Sequence, residues 1–596
     1  MAREPVNLSP NASIVLGQRY LLKDERRQVI ETPEQMFWRV AHAVAQGDLS
    51  YDPRADVAAT SEQFYNLMAR LEFLPNSPTL MNGGTPLGQL MACFVLPVED
   101  SLESIFGTLR DAAIIQQGAG GTGFSFSRLR PQGDVVMTTK GLASGPVSFM
   151  MIYDMMTDIM KRGATRRGAN MGMLRVDHPD IFQFITVKRD RAKLTNFNVS
   201  VAATDAFMQA VERDEPFDLM HPVTKQPVRQ VRAREIWDLM VEMAWENGEP
   251  GVIYIDRINR DNPTPKLGEI EATNPCSEQP LLPYEACCLG SLDLSRMLGR
   301  HNGRYTIDYA KLERTIQTAV HFLDNVVEVN TYPLGETERI CRGNRKIGLG
   351  VMGFADMLIR LGIPYNSAEA LATAEGLMRF LNERAAAASV FLAERRGVFP
   401  NFAGSIYDRP GGPRLRNATV TTIAPTGTIS LIANCSSGIE PIFALSYVRR
   451  ILEGEELPSV HPIFKEVARR RGFYGDELMA IIAERGSVQG LPQVPPDVQR
   501  LFVTALDIDP EWHVRIQAAF QQYTDNGVSK TANLPEGATV DDVRQIFSLA
   551  YQLGCKGVTA YRYGSRPAQV LSLSAYCLGC GEDALPGTER GVPKAA

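Results

Sequence analysis

Asn274-Pro275-Cys276-Ser277-Glu278, continuing to Cys287-Cys288, decides how this chain is read. It puts an amide, a thiol and a carboxylate within five residues, and another thiol eleven residues after Cys276. On an extended strand the side chains of 274, 276 and 278 would point to one face, so Asn, Cys and Glu would meet over a single substrate. The carboxylate serves acid–base work, the amide holds hydroxyls, and the sulfur carries covalent or radical steps. A lone cysteine is more often a small buried hydrophobe. What sets Cys276 apart is its company elsewhere in the chain.

At 596 residues the chain exceeds the size at which a single core stops growing, which predicts one large domain with appendages or two to four domains. Hydrophobic content of 44% and charged content of 22% are those of a globular protein. A net charge of −6 argues against a general nucleic-acid or membrane-surface binder. No apolar run reaches the roughly 18 residues of a membrane span. The polar start, Met1 to Asn11, has no signal-type apolar region. Nine cysteines spread over this length do not form a secreted disulfide framework, so a reducing cytoplasm is expected, where selected thiols do chemistry.

Residues 1–30 show few apolar repeats and read as an arm or edge. Thr32 with Glu34 and Gln35 marks a helix start. Two amphipathic helices follow, at 36–45 and 61–71. An apolar strand over 89–97 contains Cys93, and a helix over 101–116 follows. Gly118-Ala-Gly-Gly-Thr-Gly123 matches a dinucleotide fingerprint by letter, but it lies between a helix and a strand, the reverse of the required order. Its glycines instead allow close approach of a ligand or a neighbouring strand. Gly348-Leu-Gly-Val-Met-Gly353 precedes a helix at 354–361 and is read as tight packing. A Met-rich helix spans 145–160, and Lys161 to Arg167 is a basic cluster that is either anion-binding or a solvated face. A buried-type strand, 420–424, runs into Pro425-Thr-Gly-Thr-Ile-Ser430 and an apolar helix. Free N–H groups at such a turn suit phosphate, and without a Walker lysine the turn binds phosphate rather than hydrolysing a nucleotide. Alternation of helices and short apolar strands to about 560 predicts a large α/β domain. The stretch after Gly564 reads as a mobile tail carrying Cys577-Leu-Gly-Cys580, which is half a zinc site or a redox dithiol.

These pieces, in this order, resemble the catalytic chain of the ribonucleotide reductases, and among them the adenosylcobalamin-dependent class II enzymes. The resemblance covers residues 15–568. It is carried by LPNSPTLMNGGT (74–85), ACFVLPVEDSLESI (92–105), GAGGTGFSFSRLRP (118–131), NPCSEQPL (274–281), ACCLGSLDLS (286–295), APTGTISLIANCSSGIEPIF (424–443) and CKGVTAYRYGSR (555–566). It implies a ten-stranded α/β barrel with a central finger loop, a helical segment over 1–72, the barrel over 73–563, and a flexible C-terminal tail over 564–596.

It also implies roles. Cys276 matches the thiyl radical site that takes the ribose 3′-hydrogen, Glu278 the base at the 3′-hydroxyl, and Asn274 the partner of the substrate hydroxyls. Cys93 and Cys287 match the thiols that reduce the 2′ position and end as a disulfide. The family has Asn after the second cysteine where this chain has Cys288, so Cys288 is an alternative partner for Cys93. Ser77, Ala92, Gly121 and the turn Pro425, Thr426, Gly427, Thr428 and Ile429 match substrate-holding positions. Asp100, Arg130 and the loop 188–196 match the region where a deoxynucleotide effector sets specificity at a homodimer interface. Cys577 and Cys580 match a tail dithiol recharged by a thioredoxin- or glutaredoxin-like reductant. The implied cofactor is adenosylcobalamin, with no protein-bound metal, membrane or nucleic acid involved. The alternative is a class I large subunit served by a separate radical-generating subunit. That class carries a Tyr-Tyr pair near its C-terminal end, and no such dipeptide occurs here. The family's N-terminal ATP-cone has no room before residue 30, so no overall dATP switch is expected.

Overall fold

The structure, a computed structural model, describes residues 4–160, 168–450, 456–566 and 571–572. The basic cluster 161–167 and the tail thiols Cys577 and Cys580 lie outside them.

Helices come first along the chain. Residues 1–30, expected as an arm, contain α1 (Pro10–Arg19). Its apolar stripe is short, Ala12, Val15 and Leu16, but it has the i, i+3, i+4 spacing of one helical face and is fully buried. Ser9 caps it by accepting from the Ala12 N–H, and Pro10 occupies the first turn, where its missing N–H is no loss. In α2 (Pro33–Ala45) Thr32 and Gln35 form the expected capping box. α3 (Val57–Ala69) packs against α2.

The strands then build a ring. β1 (Phe73–Pro75) is an outer strand. β2 (Cys93–Pro97), β3 (Gly121–Ser125), β4 (Asn170–Arg175), β5 (Phe197–Ala203) and β6 (Gly251–Tyr254) run parallel in that order. A short hairpin, β7 (Ala272–Thr273) and β8 (Pro280–Leu281), interrupts the series. β9 (Ala286–Asp293) pairs in parallel with β10 (Ile347–Met352), and β11 (Thr531–Leu534) with β12 (Gly557–Arg562). Bridges Leu349–Thr421 and Ile423–Val528 seat segment 421–423 between β10 and the lead-in to β11. Two antiparallel seams, β6 with β12 and β2 with β9, close the circle. The result is two parallel five-strand halves, ten strands in all when 421–423 is counted, as the resemblance implied.

Between strands the chain crosses over by helices, as parallel pairs require. α4 (Leu102–Gln117) joins β2 to β3 and α5 (Pro146–Met160) leads to β4. α6 (Phe354–Leu361) follows β10, starting at Gly353, whose φ of +74° suits glycine. α7 (Ile429–Ala433) follows the 425–429 turn. Cys93, Cys287, Met171, Met173, Ala272, Leu281, Leu289 and Ala424 share one buried cluster around the hairpin.

Contacts divide the chain into two units, Met1–Glu440 with Ile508–Pro567, and Pro441–Asp507 with Ala568–Ala596. The second contains strands Ser446–Arg450, Glu456–Val460 and Leu571–Ser572 and helices Pro462–Arg470, Asp476–Arg485 and Pro496–Leu501. Among the described residues no helix is long and apolar enough to cross a membrane.

Candidate active site

The β7–β8 hairpin brings residues 274–279 into the ring. It rests on β2, β3 and β4, and its closeness explains Gly121 and Gly123, whereas Gly118 and Gly120 face Gln89, Ile115 and Phe94 instead. A Cβ on Gly123 would lie 1.8 Å from the Thr273 carbonyl, and one on Gly121 would lie 3.1 Å from Pro275 Cγ. Other parts of the ring hold the tip too. Gly527 N–H donates to the Glu278 carbonyl at 2.8 Å, as does the Thr422 hydroxyl at 2.9 Å, and Asn198 Nδ2 donates to the Pro275 carbonyl at 2.7 Å.

The tip is not the extended strand expected from alternation. Ser277 has φ +68°, and its N–H donates to the Asn274 carbonyl, so 274–278 is a turn. The turn folds Asn274 and Glu278 back to one neighbour. Asn274 Nδ2 donates to Cys93 Sγ at 3.2 Å, and the Cys93 thiol points to Glu278 Oε1 at 3.9 Å. Asn274 Oδ1 accepts the Gln279 N–H at 3.0 Å, which fixes the amide. Asn274 and Glu278 are buried, whereas Cys276 at the tip is exposed.

Cys93 sits opposite Cys287 across the antiparallel β2–β9 seam. Directly opposed Cα atoms lie about 4.5–5.5 Å apart, within disulfide reach. Cys288, one residue on, faces the other way, with its thiol toward the Leu323 carbonyl at 3.4 Å. Burial pushes the Cys287 thiol well above its usual range, with Cys288, Cys93 and Glu285 adding to the effect and Lys346 opposing it. Cys287 is therefore a neutral thiol at physiological pH. The Glu285–Lys346 ion pair beside it is fully buried at 2.7 Å, with Asn344 on the other carboxylate oxygen.

A second group lies near the 425–429 turn. Thr426 Oγ1 accepts the Gly438 N–H at 2.7 Å, which shapes the turn, while Pro425 and Gly427 are exposed. Ser77 shares a 2.8 Å hydrogen bond with the Tyr20 hydroxyl, and Arg19 Nη1 donates to Thr428 Oγ1 at 3.4 Å. Arg19 and Tyr20 were missed in the sequence because the arm gave no helical signal. The two groups connect, since the N–H of Asn76, next to Ser77, donates to the Leu289 carbonyl, two residues beyond Cys287. Ala92 joins the first group, taking the Gly121 N–H at 2.7 Å.

The expected effector residues lie apart from both groups. Asp100 and Arg130 bond each other, through the Arg130 N–H at 3.1 Å and Nε at 2.9 Å. The 188–196 loop folds over buried Lys188, whose ammonium donates to the Leu194 and Phe197 carbonyls and pairs with Glu249.

A closed ring of two parallel halves with a cysteine hairpin inside defines a class, and comparison names it. The chain belongs to the ribonucleotide reductase family, whose barrel-domain model matches residues 91–411 and 413–561 and whose all-alpha-domain model matches residues 6–88. More particularly, it is 48% identical over 625 residues to the vitamin B12-dependent ribonucleoside-diphosphate reductase of Thermoplasma acidophilum, across 96% of this chain and 81% of that protein. It is 51% identical over 574 residues to the protein of the same name from Mycobacterium tuberculosis strain H37Rv, across 96% and 80%. Among solved structures, the class Id ribonucleotide reductase alpha subunit of Actinobacillus ureae matches with a TM-score of 0.76 at 22% identity, over 94% of this chain and 98% of that one, a likeness of fold.

Proposed function

We propose that this chain reduces ribonucleoside diphosphates to 2′-deoxyribonucleoside diphosphates by a thiyl-radical route dependent on adenosylcobalamin. The observation that carries the reading is the pairing of Cys93 with Cys287 beside Asn274 and Glu278, with Cys276 exposed on the same turn. Diphosphate substrates and the cofactor follow from relatives named vitamin B12-dependent ribonucleoside-diphosphate reductases. The donor set suits that cofactor, because the exposed redox group on the hairpin is a thiol, the kind of group that yields a hydrogen atom to a carbon radical. Adenosylcobalamin, when bound, supplies the radical chemistry that acid–base groups cannot.

The chain's own residues do the rest. Cys276 as a thiyl takes the 3′-hydrogen and returns it at the end. Glu278 takes the 3′-hydroxyl proton, and Asn274 holds the hydroxyls. The 2′-hydroxyl leaves as water, and Cys93 and Cys287 give two electrons and two protons as they become a disulfide. The 425–429 turn and Ser77 hold the phosphates, with Ala92 and Gly121 against the sugar. The tail dithiol Cys577 and Cys580 reduces the disulfide and is recharged by a thioredoxin- or glutaredoxin-like protein. Thiols that must be reduced before each turnover suit the cytoplasm.

Asp100, Arg130 and loop 188–196 serve a deoxynucleotide effector at the interface of a homodimer. Support for a second copy comes from α4 and α5, which leave Phe106, Ile114, Met151, Met155 and Ile159 exposed on neighbouring surfaces.

The test is product formation by the purified chain from CDP and from CTP, with dithiothreitol as reductant, with and without adenosylcobalamin. Cobalamin-dependent dCDP is expected, with much less product from CTP. No product from folded protein until a second subunit is added would favour the class I alternative.

A further inference from the structure

We propose that Arg19 is the cation that binds the substrate's phosphates at the 425–429 turn, reaching it from the all-alpha region. The proposal rests on the phosphate reading of that turn and supplies what the turn itself lacks. Residues 420–440 contain no lysine or arginine. The turn offers backbone N–H groups and two threonine hydroxyls, and Thr426 is already engaged in shaping it through Gly438 and Ser437. A nucleoside diphosphate carries two to three negative charges, and charge-assisted bonds from a guanidinium fork are about twice as strong as neutral ones.

Arg19 is placed for this role by two features. It is the last residue of α1, and α1 packs on α7, the helix that the turn opens. The next residue, Tyr20, is buried and fixed to Ser77 by its hydroxyl at 2.8 Å. The guanidinium therefore comes off a rigid base rather than a mobile arm. It is half buried, and its bond to Thr428 Oγ1 is loose at 3.4 Å, a contact that a phosphate oxygen can replace. Gly427, next to Thr428 in the turn, is exposed, and a Cβ there would meet no atom within 4 Å. A cation bonded to a hydroxyl of the turn, with an open glycine backbone next to that hydroxyl, is the donor set of a phosphate cradle. Because Ser77 is tied to β9 through Asn76, the cradle keeps a fixed position relative to Cys287.

The experiment measures binding to the full chain without cofactor, by calorimetric titration for CDP and saturation-transfer NMR for cytidine. Arg19→Gln is expected to weaken CDP binding roughly tenfold to a hundredfold, the range for loss of a bond to a charged group. Cytidine affinity should stay within about twofold, and Arg19→Lys should recover part of the CDP affinity. Gly427→Val, which places a side chain in the cradle, should also weaken CDP and not cytidine. If Arg19→Gln fails to fold, Arg19→Lys carries the test, because a point charge replaces the fork and a selective loss for CDP is still expected. Unchanged CDP binding in both Arg19 variants, with loss in Gly427→Val, would make Arg19 a mere brace and overturn the proposal while the turn reading stands. Unchanged binding in all three would overturn both.

Discussion

Cys287 and Cys288 are chemically alike and both buried, and what separates them is strand geometry. Successive side chains on a strand point to opposite faces, so a register that sets Cys287 against Cys93 turns Cys288 away toward Leu323. We expect Cys288→Ser to keep single-turnover dCDP formation within about threefold and to form a Cys93–Cys287 disulfide. Cys287→Ser should form none. Peptide mapping by mass spectrometry after one turnover without reductant reads this directly, and a Cys93–Cys288 bridge would refute the register argument. The residue types of this site were legible in the sequence, and the motif located them. Their geometry was not. Alternation along 274–278 predicted one face of a strand, whereas the left-handed Ser277 makes a turn, and only that turn lets Asn274 and Glu278 converge on Cys93.

Among the elements, the β7–β8 hairpin carries the tightest constraint. It lies so close to β3 that Gly123 faces the backbone of Thr273, a neighbour that cannot rotate away as a side chain would. Gly123→Ala must therefore move the hairpin. A shift of about 1 Å in a reacting group costs roughly 100-fold in rate, so kcat should fall by that order. CDP affinity should fall much less than kcat, because the 425–429 turn that holds the phosphates is a separate element and only the hydroxyl contact of Asn274 moves with the hairpin. Parallel loss of CDP affinity and kcat would mean that the whole barrel had been disturbed instead. The glycines were legible as a sign of close approach, although not as to what approached. α1 was hidden because three buried residues are too few to stand out as a period. The ring was hidden because several of its strands are short, and 421–423 joins by single bridges, leaving ring closure to be inferred from family resemblance alone.

At the scale of the molecule, the all-alpha region meets the barrel through buried charge. Asp324, on helix Tyr309–Val329, receives Arg345 at 2.9 Å, Arg396 at 2.8 Å and Arg416 at 3.5 Å. Arg396 also reaches Asp48 at 2.6 Å, in the turn Gln46–Ser50 that follows α2. No local pattern could have revealed this junction, because its members are scattered from residue 48 to residue 416 and meet only in the fold. Burial alone would raise the Asp324 carboxyl, but Arg345, Arg416 and Arg396 outweigh it and hold the group down to about 2. An unfolded aspartate titrates near ~3.9. The native state binds fewer protons than the unfolded chain between those values, so this contribution is complete above about pH 4 and is lost as pH falls toward 2. Asp324→Asn removes the charge and leaves the buried arginines under-compensated, which should cost about 3–5 kcal/mol at pH 7. Urea titrations of both proteins at pH 7, 4 and 3 test the argument. The gap between their midpoints should be wide at pH 7, nearly as wide at pH 4 and clearly narrower at pH 3. A gap that is absent at pH 7 would mean that the junction is neutral to stability. One that does not shrink by pH 3 would mean that packing around Asp324, and not its charge, holds the two regions together.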